Sequence, residues 1–565
     1  MSGIARWCFR HRFAVIAAWV LALIALTVVA RVVKSDYNNS FSLPGTDSTT
    51  AQQLLAKAVP AQAGDSDTIV WQVSTGTVRD RAVVARMTGM LNRIATMPEV
   101  AAVVSPYGRH GAGQINRDSR IAYATVNFTK QADSLANADI TRVINAAEAA
   151  RAPGLNIQLG GDAIGNTEQS SLGFSSVVGL LAAAVVLFIA FGSLLAMLLP
   201  IVTAIAGVVS GLMAIAPLTQ TMSVVHFAPI LGALISLGVG TDYALFIVTR
   251  HRSGLQSGLT PEDAAVTTID TSGRAVLFAG GTVCIALLGL LVLGLSFLNG
   301  LAVACTLTVV FTVFVAVTLL PALLGVFGWR VLSRRQRRRL ANQPAAQDAG
   351  GVWARWAGTV ERRPAVPAAA AAAVMVVLAI PLLSLRLGSS DQGNDPSSAT
   401  TRQAYDLLAK GFGPGFNGPL LLVAQTSSPA DAAALRTLQD RLPQVANVTS
   451  VRALAAARGT EVIQVTPGTS PEAQATSDLI TTLRDHVIPA DEQGTTLRVY
   501  VGGITATFAD FATVVAGKLP WFILAIVGLS FLLLVVAFRS LLIPATAAVM
   551  NLLAAAAPSR RSCRR

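Results

Sequence analysis

Charge is scarce in this chain, and its scarcity is uneven. Asp, Glu, Lys and Arg make up 13% of the 565 residues and hydrophobic residues 53%, whereas soluble domains carry roughly 25% charged residues. None of the four charged types occurs from Gln169 to Thr241 or from Ala275 to Trp329. Both stretches far exceed the roughly 20 residues that span a bilayer. These gaps exclude a soluble globular protein and indicate a polytopic α-helical membrane protein. Cysteine is equally sparse. Cys8, Cys284, Cys305 and Cys563 all lie outside the two large polar segments, so those segments hold no disulfide. Without a C-x-x-C pair a structural zinc site is not expected either. Lysine numbers 5 against 38 arginines, a bias of GC-rich coding. Only Lys518 follows a glycine, and Leu519 comes next, so no phosphate-binding Gly-Lys-Ser/Thr element exists. Nor is there an H-E-x-x-H, or a G-x-S-x-G in a strand-turn-helix context. We therefore expect no ATPase, no hydrolase, no metal and no cofactor.

The net charge of +13 could suggest nucleic acid until it is mapped. Segment 34–173 holds 12 basic and 12 acidic residues, and segment 388–519 holds 9 and 12. The excess sits beside the apolar runs, which is the positive-inside pattern and not a nucleic-acid face.

Residues 1–33 read as a cytoplasmic segment and a first membrane helix. The apolar run Phe13–Ala30 follows Arg6, Arg10 and Arg12. Its length, Trp19 and the lack of an A-x-A site before Arg31 favour an uncleaved anchor with a cytoplasmic N-terminus over a signal peptide. Segment 34–173 is expected to form a first extracytoplasmic domain. Strands are predicted at 68–74, 100–104, 121–128 and 156–159, with helices at 79–97 and 133–150. The order β-α-β-β-α-β is the ferredoxin-like, split βαβ pattern. Tyr107, His110 and the glycine-rich stretch 108–113 read as an exposed loop. Five membrane helices are then expected within 174–328, near 174–192, 196–217, 224–249, 275–296 and 301–328. Arg250, His251, Arg252 and Arg274 mark one cytoplasmic loop between them. The linker 329–363 carries nine arginines, including Arg334, Arg335, Arg337, Arg338 and Arg339. We read that cluster as a topology determinant in preference to an anionic-lipid site.

The pattern then restarts. A seventh helix is expected at 364–387, a second extracytoplasmic domain at 388–519, an eighth helix at 520–540 and a partial ninth with a basic tail at 541–565. The second domain again reads β-α-β-β-α-β, with strands near 419–425, 447–451, 461–466 and 496–501 and helices near 430–443 and 471–487. Ala5-Arg6-Trp7 returns as Ala354-Arg355-Trp356, Leu54–Lys57 as Leu407–Lys410, Gly160-Gly161 as Gly502-Gly503, and Phe191–Leu195 as Phe538–Leu542. Ordered echoes of this kind indicate duplicated halves, a transporter signature. At the Phe191–Phe538 offset of 347, the second copy stops inside its third helix, where PSRRSCRR stands opposite the apolar Gly211–Leu218. We expect premature termination or a frameshift there, the alternative being a genuine cytoplasmic terminus.

Asp242 is the one carboxylate in the five helices expected between the first domain and the linker. A charge at bilayer depth costs about 2.5–3.5 kcal/mol on insertion scales, so it is expected to face a protein interior or a watery cleft. Gly238 lies one turn earlier on the same face, and Gly232 roughly two turns before that. With Gly240, these small residues would let helices approach closely. Desolvation favours the neutral acid, and a carboxyl poised in this way can load a proton on one side and release it on the other. Proton transfer yields about 2.3 kcal/mol per 100 mV. Tyr243 offers an adjacent hydroxyl for a proton relay. His226, near the outer end of the same helix, is the weaker candidate.

The run from Gly238 through Asp242-Tyr243 to Arg250-His-Arg252 resembles the fourth transmembrane helix of the MMPL proteins, a branch of the resistance-nodulation-division (RND) superfamily. The Gly-x-x-x-Asp-Tyr element matches with Gly238, Asp242 and Tyr243. Phe191–Leu195 and Phe538–Leu542 resemble the family's second and eighth helices. The resemblance covers residues 1 to about 553. It implies an RND-like bundle of twelve helices with two ferredoxin-like porter domains, in the inner membrane of an actinobacterium. It also implies proton-driven export of lipids, glycolipids, siderophores or other hydrophobic compounds, with self-association or accessory envelope proteins as partners. A second Gly-x-x-x-Asp-Tyr would face the first, near position 589 at the offset of 347. The alternatives are a non-transporting membrane remnant or scaffold, and a translocation accessory of the SecD/SecF type.

Overall fold

A computed structural model describes the chain except for residues 34, 36, 38–42, 44, 59–64, 109–110, 170–171, 334–335, 339–351, 381–390, 458 and 557–565. In chain order, α1 (Ser2–Arg10) and α2 (Arg12–Val33) are followed by α3 (Asp47–Ala58) and a first α+β domain. That domain comprises β1 (Ser66–Val73), α4 (Arg81–Ala95), β2 (Val100–Val104), β3 (Ile121–Phe128), α5 (Asn137–Glu148) and β4 (Leu155–Gly160). Helices α6 (Asp162–Gln169), α7 (Leu172–Phe191), α8 (Leu194–Leu218), α9 (Ala228–Gln256), α10 (Pro261–Thr268), α11 (Arg274–Leu288) and α12 (Ser296–Phe327) follow. The second half opens with α13 (Val352–Arg362), α14 (Ala365–Ala379) and α15 (Thr400–Phe412). Its α+β domain runs β5 (Leu420–Gln425), α16 (Pro429–Arg441), β6 (Val448–Ala457), β7 (Thr460–Pro467), α17 (Gln474–Thr482), α18 (Ile488–Glu492) and β8 (Arg498–Gly502). Two long helices, α19 (Ile504–Phe538) and α20 (Leu542–Ala556), end the described chain.

The chain divides into two compact units, each drawn from both halves. One comprises Met1–Phe41, Ser176–Arg386 and Lys518–Arg565; the other comprises Ser42–Ser175 and Leu387–Gly517. The first unit is helical. Among the described residues, 6 helices are long and apolar enough to cross a membrane: Arg12–Val33, Leu194–Leu218, Ala228–Gln256, Pro261–Leu293, Ser296–Val331 and Ile504–Phe538. The pair α13 and α14 qualifies jointly, although it bends by 94°. The shorter apolar stretches Leu181–Phe191 and Leu542–Leu552 lie in α7 and α20.

Glycine sets the spacing of the central helices. A Cβ on Gly211 of α8 would lie 2.6 Å from the Thr308 Cα of α12, and one on Gly207 would lie 2.8 Å from the Thr312 Cα. Gly232 of α9 meets Thr308 Oγ1 at 3.1 Å in the same sense. With no side chain on one helix, backbones approach closely and dispersion contacts accumulate where lipid supplies no hydrophobic drive.

The second unit holds two four-stranded antiparallel sheets of identical topology, β2-β3-β1-β4 and β6-β7-β5-β8. Each domain follows the expected β-α-β-β-α-β order. Strand β5 (LLLVAQ) and the Ile69-Val70-Trp71 centre of β1 are continuous apolar runs with both faces covered. Ile69, Trp71 and Val73 of β1 enter the core under α4 and α5. Val70 turns to the other face and packs with Ile121, Ala404 and Leu408. Ala404 and Leu408 belong to α15, so the covering helix comes from the other half of the chain. The exchange is reciprocal: α3 packs on β5, β7 and β8. At the two strand ends a Cβ on Gly160 would lie 3.2 Å from the Ala404 Cβ, and one on Gly502 would lie 2.6 Å from the Ala51 Cβ. Gly161 (φ 131°) and Gly503 (φ 92°) turn the chain from strand into helix, a conformation that disfavours a side chain.

Several expectations need correcting. Tyr107 is not part of a free loop: its hydroxyl donates to the Val78 carbonyl at 2.7 Å and its ring lies 6.1 Å from that of Trp71. His110 lies outside the described residues, as do Arg334, Arg335, Arg339 and the basic tail from 557 onward. Strand β6 is longer than expected, and the helix expected over 471–487 is α17, a π turn at Leu483–Val487 and α18. The loop expected at Arg250–Arg274 is mostly helical. Helix α9 runs on to Gln256, and Thr260 caps α10 by accepting from the Asp263 amide at 3.2 Å. A Thr-Pro-Glu-Asp start is a legible helix N-terminus, but arginine-based topology reasoning overlooks it.

Candidate proton-relay site

Helix α9 carries the site, and its sequence sorts into two faces. Gly232, Ser236, Gly240, Tyr243, Ala244, Ile247, Val248, His251, Arg252 and Leu255 recur at helical spacing and are buried. They pack against α8, α10 and α12, with Tyr243 reaching α11. A Cβ on Gly240 would lie 2.7 Å from Thr312 Cγ2 and 3.3 Å from the Cα of Ala204. Tyr243 is 8% exposed. Its ring fits beside Gly280 of α11, where a Cβ would be 3.6 Å from Tyr243 Cε2.

Asp242 lies on the other face. It is exposed among the described residues, and the space beside Gly238, one turn earlier, holds no atom within 4 Å of a Cβ built there. The enclosure expected of Asp242 and the packing expected of Gly238 are therefore not supplied by the described helices, because α8, α11 and α12 contact the opposite side of α9. Close approach falls instead to Gly240 and Gly232. Asp242 is fourteen residues from either end of α9. At 1.5 Å per residue that places its Cα about 21 Å from each end, at the centre of the helix. His226 pairs edge-on with Tyr37 at 5.8 Å between ring centroids.

Sequence reasoning missed the lower end of the helix. His251 is 0% exposed and Arg252 6%. The Arg252 guanidinium donates to the Phe191 carbonyl at 2.7 Å and to Gln336 Oε1 at 2.9 Å, and stacks over the Phe191 ring at 4.8 Å. It thereby satisfies a helix-terminal carbonyl of α7. Among the described residues no group of three or more His, Cys, Asp or Glu is placed to hold a metal.

A mid-helix carboxyl beside a buried tyrosine, on a glycine-packed helix, can be matched with known proteins. The MMPL family profile matches residues 40–367 and 422–558. The chain belongs to the MMPL family. It is 32% identical over 559 residues to the membrane protein YdfJ of Bacillus subtilis, covering 96% of this chain and 73% of that one. It is 29% identical over 421 residues to the trehalose monomycolate exporter MmpL3 of Mycobacterium tuberculosis, covering 67% of this chain and 43% of that one. Among solved structures, the hedgehog release protein Disp of the water bear Hypsibius dujardini superposes with a TM-score of 0.59 at 14% identity, covering 100% of this chain and 87% of that one. That likeness concerns the fold. This MMPL chain is a multi-pass membrane protein of a transporter family.

Proposed function

We propose that this MMPL chain works as a proton-driven exporter of lipids or other hydrophobic compounds, and that Asp242 exchanges the proton. The observation that carries the reading is the position of Asp242, at the midpoint of α9 and separated by about 21 Å of helix from either end. An ionisable side chain within an apolar membrane helix is costly to retain, which marks its position as functional. Tyr243 next to it is the hydroxyl relay, and Gly240 holds α9 against α8 and α12. The two α+β domains act as porter domains outside the membrane, and their shared topology reflects an internal duplication. The N-terminus and the arginine-rich linker lie on the cytoplasmic side of the plasma membrane, as the charge distribution favours. The hydrophobic cargo is supported by MmpL3, whose name states export of a mycolate ester.

The test reconstitutes the chain into liposomes that carry an internal pH dye and a membrane potential. The wild-type chain is expected to pass protons and Asp242→Asn to lose that flux, since the substitution keeps the size and removes the titration. Proton flux unchanged in Asp242→Asn, or none from the wild-type chain, overturns the proposal for this polypeptide.

A further inference from the structure

The helix exchange between the two α+β domains is held at two matching points. On one side, the Ser48 amide at the start of α3 donates to Asp510 Oδ2 at 3.2 Å. Asp510, 7% exposed, lies on α19, the helix that follows β8. Arg484 braces it, donating to both carboxylate oxygens, to Oδ2 at 3.0 Å, and pairs with Asp47 of α3 at 3.4 Å. On the other side, the Thr400 amide at the start of α15 donates to Glu168 Oε1 at 3.2 Å, and the Thr401 hydroxyl donates to Oε2 at 3.3 Å. Glu168 lies on α6, the helix that follows β4. The two carboxylates are equivalent: Glu168 is eight residues beyond Gly160, and Asp510 is eight beyond Gly502, the glycines that end the two strands. Each therefore meets the first turn of a helix contributed by the opposite half of the chain.

A carboxylate at a helix N-terminus satisfies free amides and complements the helix dipole. Here it does so across the exchange. Asp510 belongs to a helix that continues unbroken to Phe538 and includes a membrane-length apolar stretch. We propose that Glu168 and Asp510 are positioning residues that couple the porter domains crosswise, each carboxylate gripping the exchanged helix of the other half, so that α19 holds α3 on the second sheet and α6 holds α15 on the first. The proposal rests on reading the two domains as porters of a transporter, but its test requires no transport.

The experiment is hydrogen–deuterium exchange of the full chain in lipid nanodiscs, read at the first turns of α3 and α15. Asp510→Asn is expected to speed exchange at Ser48 and Thr49 roughly 2- to 30-fold, the range that loss of a helix N-cap produces, and to leave Thr400 and Thr401 unchanged. Glu168→Gln is expected to do the reverse. Faster exchange confined to the mutated helix itself, or equal at both first turns, overturns the coupling. Should either variant fail to fold, oxidation of the double variant Ser48→Cys, Asp510→Cys keeps the question open to decision. A disulfide joining the α3 and α19 peptides is expected. Its absence overturns the crossed arrangement. Failure here with intact proton flux would refute the coupling alone, whereas lost flux with the crossed exchange pattern preserved would refute the transport reading alone.

Discussion

Replacing Gly240 by alanine adds a single methyl group two residues from Asp242. That methyl would sit 2.7 Å from Thr312 Cγ2 and 3.3 Å from the Cα and Cβ of Ala204. Carbon atoms pack best at roughly 3.5–4.0 Å, so about 1 Å must be made up at Thr312 and a few tenths at Ala204. Overpacking of this kind costs about 1–3 kcal/mol. The control is Gly238→Ala on the same helix, where nothing lies within 4 Å; there the better helix propensity of alanine favours the folded state by up to about 1 kcal/mol. The clash at Gly240 is with one removable atom. Thr312→Ser deletes Cγ2 and keeps the hydroxyl that donates to the Thr308 carbonyl at 2.9 Å. In the serine background Gly240→Ala should therefore cost little, a coupling that a double-mutant cycle isolates. Gly211→Ala is different, because its methyl would meet the Thr308 Cα at 2.6 Å, and no side-chain truncation at Thr308 removes that atom. The assay is the unfolding midpoint of the purified chain in mixed micelles titrated with a denaturing detergent. Equal effects of Gly240→Ala and Gly238→Ala, or an undiminished cost in the Thr312→Ser background, would refute the packing argument.

Two buried aspartates of the α+β domains should give opposite pH signatures. Burial, with Asp65 and Asp162 beside it, pushes the Asp67 carboxyl well above its ordinary 3.8. The stability from its bound proton is complete below about pH 3.8 and is lost as pH rises through the folded value. Asp67→Asn should thus stabilise the first α+β domain at neutral pH and lose that advantage on acidification, by at most about 1.4 kcal/mol per pH unit. For Asp431, burial acts upward but is outweighed by hydrogen bonds from the Ser427 and Ser428 amides and from Thr496, which bring it down to about 2. Its contribution is present above about pH 3.8 and is lost as pH falls toward 2, so Asp431→Asn should destabilise at neutral pH and match the wild type near pH 2. Chemical denaturation of the chain from pH 2 to 8 measures both; curves parallel over that whole range for either variant would contradict the assignment. Arg252→Lys keeps the charge but loses the planar fork on Phe191 and Gln336, and should lower stability by about 1.5–3 kcal/mol. A midpoint equal to that of the wild type would show that the guanidinium contacts carry no weight.

The sequence by itself determined the strands and the long apolar helices, but not α3, α10 or α15. Charge-free runs longer than a bilayer is thick left no soluble solution, and the period-2 and period-3.6 patterns of the polar segments yielded both β-α-β-β-α-β domains with strand ends within a few residues. Asp242 stands out in the sequence as a single carboxylate in so much apolar chain, but the sequence did not place it on the exposed face of α9. Tertiary structure decided how those elements are shared. That α3 covers the second sheet and α15 the first depends on contacts separated by hundreds of residues, which local periodicity does not encode. The same limit explains Gly238 and Gly240. Both are small, and only the placement of α8 and α12 around α9 determines which of them meets a neighbour.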